Sequence, residues 1–216
     1  MTDVLRFHFD VISPYAYLAW TQIHAVAERG GVTVEPVPVL FASLLEAHGT
    51  RGPAEVPAKR AYLIRDVARI AHRFGVPIVP PPAHPFNPLL ALRLASLPLP
   101  GEQRRRLIDG LFTAAWADGT GVTDRDAVLR IAARAGLPAD ALARAEDPET
   151  KARLRQQCDR AIAEGIFGVP TSTVRGQMFF GCDSFPHLED FLAGGDVVPP
   201  DLVARWADLP AGASRR

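Results

Sequence analysis

The sequence predicts an α/β fold carrying a large helical insertion. Three observations lead there. Residues 4–10 (VLRFHFD) alternate in the manner of a strand, with Leu5, Phe7 and Phe9 against Val4, Arg6 and His8. From Phe41 to about Glu164 the chain turns rich in Ala, Leu and Arg at helical spacing. After Gly165 the strand signals return.

The elements follow in order. Pro14 suits the first turn of a helix, where a missing N–H costs nothing, and the helix runs to about Glu28, where Gly30 and Gly31 stop it. Residues 32–40 (VTVEPVPVL) form a second strand, and Pro36 and Pro38 require an edge or a bend. Helices are expected over 41–47, 57–74, 88–97, 101–117, 124–135, 138–145 and 149–164. The loop GVPIVPPPAHPFNP (75–88) holds six prolines in fourteen residues and forms no regular element. A rigid loop of that length inside a compact domain points to function. TSTVRG and QMFFG (171–181) read as two strands about a tight turn at Arg175-Gly176. Residues 183–195 close the pattern as a helix, with Asp183 a candidate N-cap, and the tail carries no strong pattern.

Composition narrows the partners. Lys plus Arg equals Asp plus Glu, 24 against 24, so charge gives no reason to expect nucleic acid or an anionic membrane. The Arg104-Arg105-Arg106 cluster reads as a solvated helix face. No apolar run reaches the roughly 18 residues of a membrane span. The first residues lack the pattern of a signal peptide, and a cytoplasmic protein is expected. Cys158 and Cys182 lie far apart and form no CxxC pair, so neither a disulfide framework nor a metal site is expected.

Chemistry concentrates at the junction of the first strand and helix, Ser13-Pro14-Tyr15-Ala16. Disulfide exchange needs a protein thiolate, and this junction has none. A serine there either caps the helix or donates a hydrogen bond to an external thiolate, which the helix N-terminus also favours.

The order β-α-β, helical block, β-β-α is that of a thioredoxin-like fold with a large all-helical insertion. Residues 1–40 and 165–216 would form the thioredoxin-like part and 41–164 the insertion. FDVISPYAYLA and EGIFGVPTSTVRGQMFFGCD resemble the two signature regions of the serine-bearing branch of the DsbA-like superfamily. That branch holds kappa-class glutathione transferases and 2-hydroxychromene-2-carboxylate isomerases. PVLFASLL, GPAEVPAKR and PPAHPFNPLLALR resemble the isomerases most, and the likeness spans roughly residues 5–195.

The resemblance implies a glutathione-dependent isomerase of aromatic hydrocarbon catabolism, acting on a small aromatic 2-oxo acid and regenerating glutathione. It implies that Ser13 holds the glutathione thiolate and that Val169-Pro170, in GVPT, is a cis bond exposing the Val169 backbone to the cysteinyl part of the peptide. Backbone N–H groups of Cys182, Asp183 and Ser184 would meet the γ-glutamyl carboxylate, and the Asp183 carboxylate its ammonium. Cys182 as a second reactive thiol is the rival. Lys59 and Arg60 would lie at the mouth of the site, where Lys59 would orient the substrate carboxylate and Arg60 better fits a solvated helix start, and Asn87 would meet an enol or phenol oxygen. His84 either joins Asn87 or only braces the loop; Phe41 and Phe86 either wall an aromatic pocket or fill core. Kappa transferases tend to read Pro-Asn-Lys where this chain has Pro57-Ala58-Lys59, which favours the isomerases. A homodimer is the family expectation. Two alternatives stay open: a kappa-like transferase or peroxidase that consumes glutathione, and a non-catalytic thioredoxin-fold binding module.

Overall fold

The computed structural model describes residues 2–195 and 198–210. A four-stranded sheet is built from β1 (Val4–Phe9), β2 (Thr33–Pro38), β3 (Thr171–Val174) and β4 (Gln177–Phe180), in the order β2-β1-β3-β4. β2 runs parallel to β1, while β3 and β4 are antiparallel to their neighbours. The fold is thus thioredoxin-like, as expected. β2 is an edge strand, which is where Pro36 and Pro38 are tolerated, because one side of it has no ladder to break. The β3–β4 turn places both Arg175 (φ 50°) and Gly176 (φ 78°) in the left-handed region, the geometry of a two-residue hairpin.

Helix α1 (Pro14–Arg29) connects β1 to β2. Between β2 and β3 lie α2 (Phe41–Ala47), a 3₁₀ turn (Pro53–Glu55), α3 (Pro57–Phe74), α4 (Leu89–Ala95), α5 (Gly101–Phe112), α6 (Arg125–Arg134), α7 (Ala141–Glu146) and α8 (Pro148–Ala163). α9 (Phe185–Leu192) and α10 (Pro200–Ala207) follow the sheet. Residues 1, 196–197 and 211–216 of the expected thioredoxin-like part lie outside the described residues.

Three elements differ from expectation. The helix expected over 101–117 leaves α geometry after Phe112 and finishes as a π turn, Thr113–Ala117, closed by the Asp118 N–H on the Thr113 carbonyl at 3.0 Å. The closing helix starts at Phe185, because Cys182–Ser184 forms a separate 3₁₀ turn, and Asp183 does not cap it. The tail contains α10, an amphipathic helix with every residue exposed. Its period was obscured by Pro199 and Pro200 at its start.

One continuous apolar core joins the sheet to the helices. At its centre Phe7 and Phe9 of β1 meet Trp20 of α1 and Phe112 of α5, with Phe9 and Phe112 ring centroids 5.6 Å apart. The Trp20 Nε1–H donates to Asp109 of α5 at 2.6 Å, so the indole is satisfied at the helical side of this core. His8, expected on the polar face, is buried. Its Nδ1 lies 3.3 Å from the Thr171 carbonyl, and burial lowers its pKa, which favours the neutral ring.

Candidate functional site

The β1–α1 junction sits at a cavity of about 490 Å³ whose walls are mostly apolar. Phe41 and Leu45 of α2, Pro53, Phe86, Phe167, Val169 and Phe180 form those walls. Asp10, Ser13, Thr50, Arg51, Glu55 and His84 bring polar groups to them.

Ser13 is buried at the N-terminus of α1. Its Oγ accepts from the Ala16 N–H at 3.1 Å, with Pro14 opening the helix. Its hydroxyl proton goes to the Val169 carbonyl at 3.4 Å. The two readings of Ser13 therefore do not compete. A cap uses an oxygen lone pair, and the proton remains for another acceptor. At 3.4 Å that present bond is at the weak end of the range, so a better acceptor can take it. Val169-Pro170 is cis, as expected, and its Val169 lies beside Ser13 in the cavity wall.

Asp10, which the sequence reasoning did not single out, lies beneath this junction with no exposed surface. Oδ1 accepts from the Ile12 N–H at 3.0 Å and Oδ2 from the Phe41 N–H at 2.9 Å, tying the β1–α1 loop to the start of α2. Burial outweighs these bonds and pushes the carboxyl up to about 7. A charged residue interrupting the apolar run FDVI was the available signal.

The proline-rich loop is pinned over the same junction. His84 Nε2 lies 3.1 Å from the Ile12 carbonyl, and the Trp116 Nε1–H donates to the Val11 carbonyl at 2.8 Å. His84, Phe86 and Trp116 pack against one another, with His84 and Trp116 centroids 5.3 Å apart. His84 thus braces the loop, and its peptide to Pro85 is a second cis bond. Trp116 belongs to the π turn, an irregularity that is frequent at functional sites.

The other expected residues are distributed unevenly. Cys182 and Asp183 line a neighbouring cleft of about 280 Å³ with Arg29, Arg73 and Phe74, not the cavity of Ser13. The Tyr15 hydroxyl donates to Asp66 at 2.8 Å close by, and burial together with Asp66 pushes this phenol up. The Ser184 N–H turns back to the Gly181 carbonyl at a long 3.4 Å, and its hydroxyl donates to the same oxygen at 2.7 Å and closes the turn. Cys182 is a buried thiol, raised to about 11 by burial and the nearby Asp183 carboxylate. Cys158 is also buried and raised, chiefly by burial, so neither cysteine has the lowered pKa of a reactive thiol.

Lys59 and Arg60, at the exposed start of α3, are absent from the lining of the Ser13 cavity; Arg60 instead lines the adjoining cleft against Ile64 and Pro80–Pro82. Asn87 is exposed and also absent from the lining; its Oδ1 accepts from the Leu89 N–H at 3.0 Å in a turn just before α4, whose N-cap is Pro88. The cation that does line the cavity is Arg51, in the loop Gly49-Thr50-Arg51-Gly52. Only the two flanking glycines marked that loop in the sequence. Among the described residues no group of His, Cys, Asp and Glu could hold a metal ion, and no helix is long and apolar enough to cross a membrane.

Comparison with known proteins agrees with this architecture. Over 196 residues the chain is 30% identical to a 2-hydroxychromene-2-carboxylate isomerase of Sphingobium xenophagum, covering 89% of this chain and 99% of that one. It is 26% identical to glutathione S-transferase kappa 1 of Rattus norvegicus, with 94% and 97% covered. A solved 2-hydroxychromene-2-carboxylate isomerase superposes with a TM-score of 0.81 at 24% identity, covering 96% of this chain and all of that one, which establishes a shared fold. The family model described as a DSBA-like thioredoxin domain matches residues 4–193, nearly the whole sheet-and-helix body described above, and the chain belongs to that family.

Proposed function

We propose that the protein is a glutathione-dependent isomerase interconverting 2-hydroxychromene-2-carboxylate and trans-o-hydroxybenzylidenepyruvate. The observation that carries this reading is Ser13, which holds its helix with a lone pair while its proton rests on a weak 3.4 Å contact beside an apolar cavity. Bound glutathione would supply a thiolate able to add reversibly to a conjugated carbonyl compound. The residues present fit such a peptide. Ser13 donates to the sulfur, and the N-terminus of α1 adds favourable partial charge. The Val169 backbone, released from Ser13, pairs with the cysteinyl part in the manner of an added strand, with Pro170 shaping the turn. Cys182 and Asp183 offer their backbone N–H groups, and Asp183 its exposed carboxylate, to the γ-glutamyl end; Ser184 contributes by closing that turn.

The aromatic substrate occupies the cavity of Phe41, Phe86, Phe167 and Phe180, where Pro85 and His84 exclude water from one side. Lys59 and Arg60 add positive charge at the start of α3 and steer an anionic substrate. Asn87 accepts from the Leu89 N–H with its oxygen and keeps its amide N–H groups for a substrate oxygen. In this reading residues 1–40 and 165–216 form the thioredoxin-like part that serves glutathione and 41–164 the insertion that serves the substrate, with Phe167 and Phe180 of the thioredoxin-like part completing the substrate's walls. The protein acts in the cytoplasm, as a homodimer.

An absorbance assay on 2-hydroxychromene-2-carboxylate, with and without glutathione, tests the proposal. Conversion only with glutathione present, at unchanged glutathione concentration, is expected. Full conversion without glutathione overturns it. The likeness to glutathione S-transferase kappa 1 favours a second reading, a transferase acting on small electrophiles, for which glutathione falls as product forms.

A further inference from the structure

The cavity beside Ser13 is lined by many apolar groups and by few that can face a charged ligand. Asp10 has both carboxylate oxygens engaged by backbone N–H groups. His84 is held to the Ile12 carbonyl, and burial lowers its pKa. The Tyr15 hydroxyl is committed to Asp66. Thr50 is neutral. That leaves Arg51 and Glu55 as charged side chains of the lining without such commitments.

Arg51 makes no ion pair and no side-chain hydrogen bond among the described residues, Glu55 included. The ion pairs among the described residues engage arginines of helices, of β1 and of the β3–β4 turn, each with at least 38% of its side chain exposed. The backbone that carries Arg51 is nonetheless built. Gly49 adopts a positive φ (61°), the Thr50 N–H donates to the Leu45 carbonyl at 2.9 Å, and Gly52 is buried. A Cβ on Gly52 would come within 3.0 Å of Glu55 Oε1 and 3.3 Å of Leu45 Cδ1, so the chain is packed closely there. Just before the loop, His48 Nε2 lies 3.0 Å from the Ile166 carbonyl, which ties it to the segment leading into Phe167 and Val169 on another wall.

We infer that Arg51 is the anchor for the carboxylate of an apolar aromatic acid held in this cavity, in place of the Lys59 that the sequence suggested. The inference names a substrate-binding residue within the reading under Proposed function and rests on it. The chemistry is direct. An aromatic ring system matches the walls of Phe41, Phe86, Phe167 and Phe180, and a planar guanidinium offers a carboxylate two parallel N–H donors. Lys59, outside the lining, is placed to raise the encounter rate and not to fix orientation.

Calorimetric titration of the full chain with 2-naphthoate and with its neutral isostere 2-naphthamide tests this without turnover. The wild type is expected to prefer the carboxylate by about tenfold, the scale of one charge-assisted contact at an exposed arginine. Arg51→Ala should abolish the preference and leave glutathione affinity unchanged; Arg51→Lys should keep part of it; Lys59→Ala should keep nearly all of it. Equal preference in wild type and Arg51→Ala, loss of preference in Lys59→Ala, or no preference in the wild type would each overturn the assignment. So would an Arg51→Ala variant that loses glutathione and keeps naphthoate. A wild type that shows the preference but never converts 2-hydroxychromene-2-carboxylate sinks the isomerase reading and leaves the anchor standing.

Discussion

At Ser13 one hydroxyl does two things, accepting from the Ala16 N–H and donating to the Val169 carbonyl. Removing it should separate binding from turnover. A hydrogen bond to a charged group contributes about 1.5–3 kcal/mol, equivalent to roughly one to two pKa units on a bound thiol. Ser13→Ala should therefore bind glutathione almost normally near neutral pH and turn over about ten- to a hundredfold more slowly, with part of the rate recovered at high pH. Ultraviolet titration of the thiolate reads the shift, and an unchanged thiol pKa would leave Ser13 as a cap alone. Asp10 makes a different prediction. Its pKa is raised to about 7 in the folded chain, from 3.8 unfolded, so the folded state binds the extra proton between those values. Its contribution to stability is complete below pH 4 and is lost as pH rises through 7, by on the order of a few kcal/mol. The stability of wild type relative to Asp10→Asn, from urea melts, should fall between about pH 4 and pH 7 and level off above. A difference independent of pH would mean that Asp10 ionises without penalty.

The proline-rich loop and the π turn act together at the scale of elements. The π turn swings Trp116 so that its indole N–H reaches Val11, two residues before Ser13, while His84 reaches Ile12. The Val79 N–H donates to the Trp116 carbonyl at 2.7 Å and joins the loop to the turn. Trp116→Phe keeps an aromatic ring against Phe86 and removes the bond to Val11. It should cost about 1–3 kcal/mol, the scale of a buried carbonyl losing its partner. Because the freed carbonyl belongs to the loop that carries Ser13, the Michael constant for the aromatic acid should rise as well. Thermal melts and steady-state kinetics on the same variant check both halves, and an unchanged melting temperature would show that the loop is held by packing alone.

For the whole molecule the shared aromatic core matters most. Phe9 of the sheet, Trp20 of α1 and Phe112 of α5 meet in one cluster, so the sheet and the inserted helices bury surface against each other. Unfolding should appear as a single transition by both tryptophan fluorescence and far-ultraviolet circular dichroism. Phe112→Ala, at a site 1% exposed, should lower the stability of that whole transition by about 3–5 kcal/mol. Two separated transitions, only one of them shifted, would mean that the helices fold as an independent unit.

Local pattern alone determined much of this protein. The strand alternation of 4–7, the proline that opens α1, the bounds of α2 and α3, and the turn at Arg175-Gly176 depend on backbone preferences within a few residues, and they are as the residues dictate, whereas the alternation gives way at the buried His8. Pro36 and Pro38 limited β2 to an edge or a bend, since proline cannot donate to a ladder, and the sheet order decides for the edge. Ser13 and Val169-Pro170 were legible as motif residues. What no local pattern carries is which side chains meet across the fold. The burial of Asp10 needs the N–H groups of Ile12 and Phe41, 31 residues apart from it in the second case. The π turn places Trp116 so that its indole meets the Val11 carbonyl, 105 residues away in sequence. Lys59 looked suited to a carboxylate because it lies in a motif, and Arg51 did not, because its surroundings are ordinary. Only the packing of α2, the 3₁₀ turn and the segment before β3 around one cavity puts Arg51 on the wall and leaves Lys59 outside it. Spacing along a chain governs neighbours in one element, whereas a site is made of distances between elements, and those are decided by how the apolar faces pack.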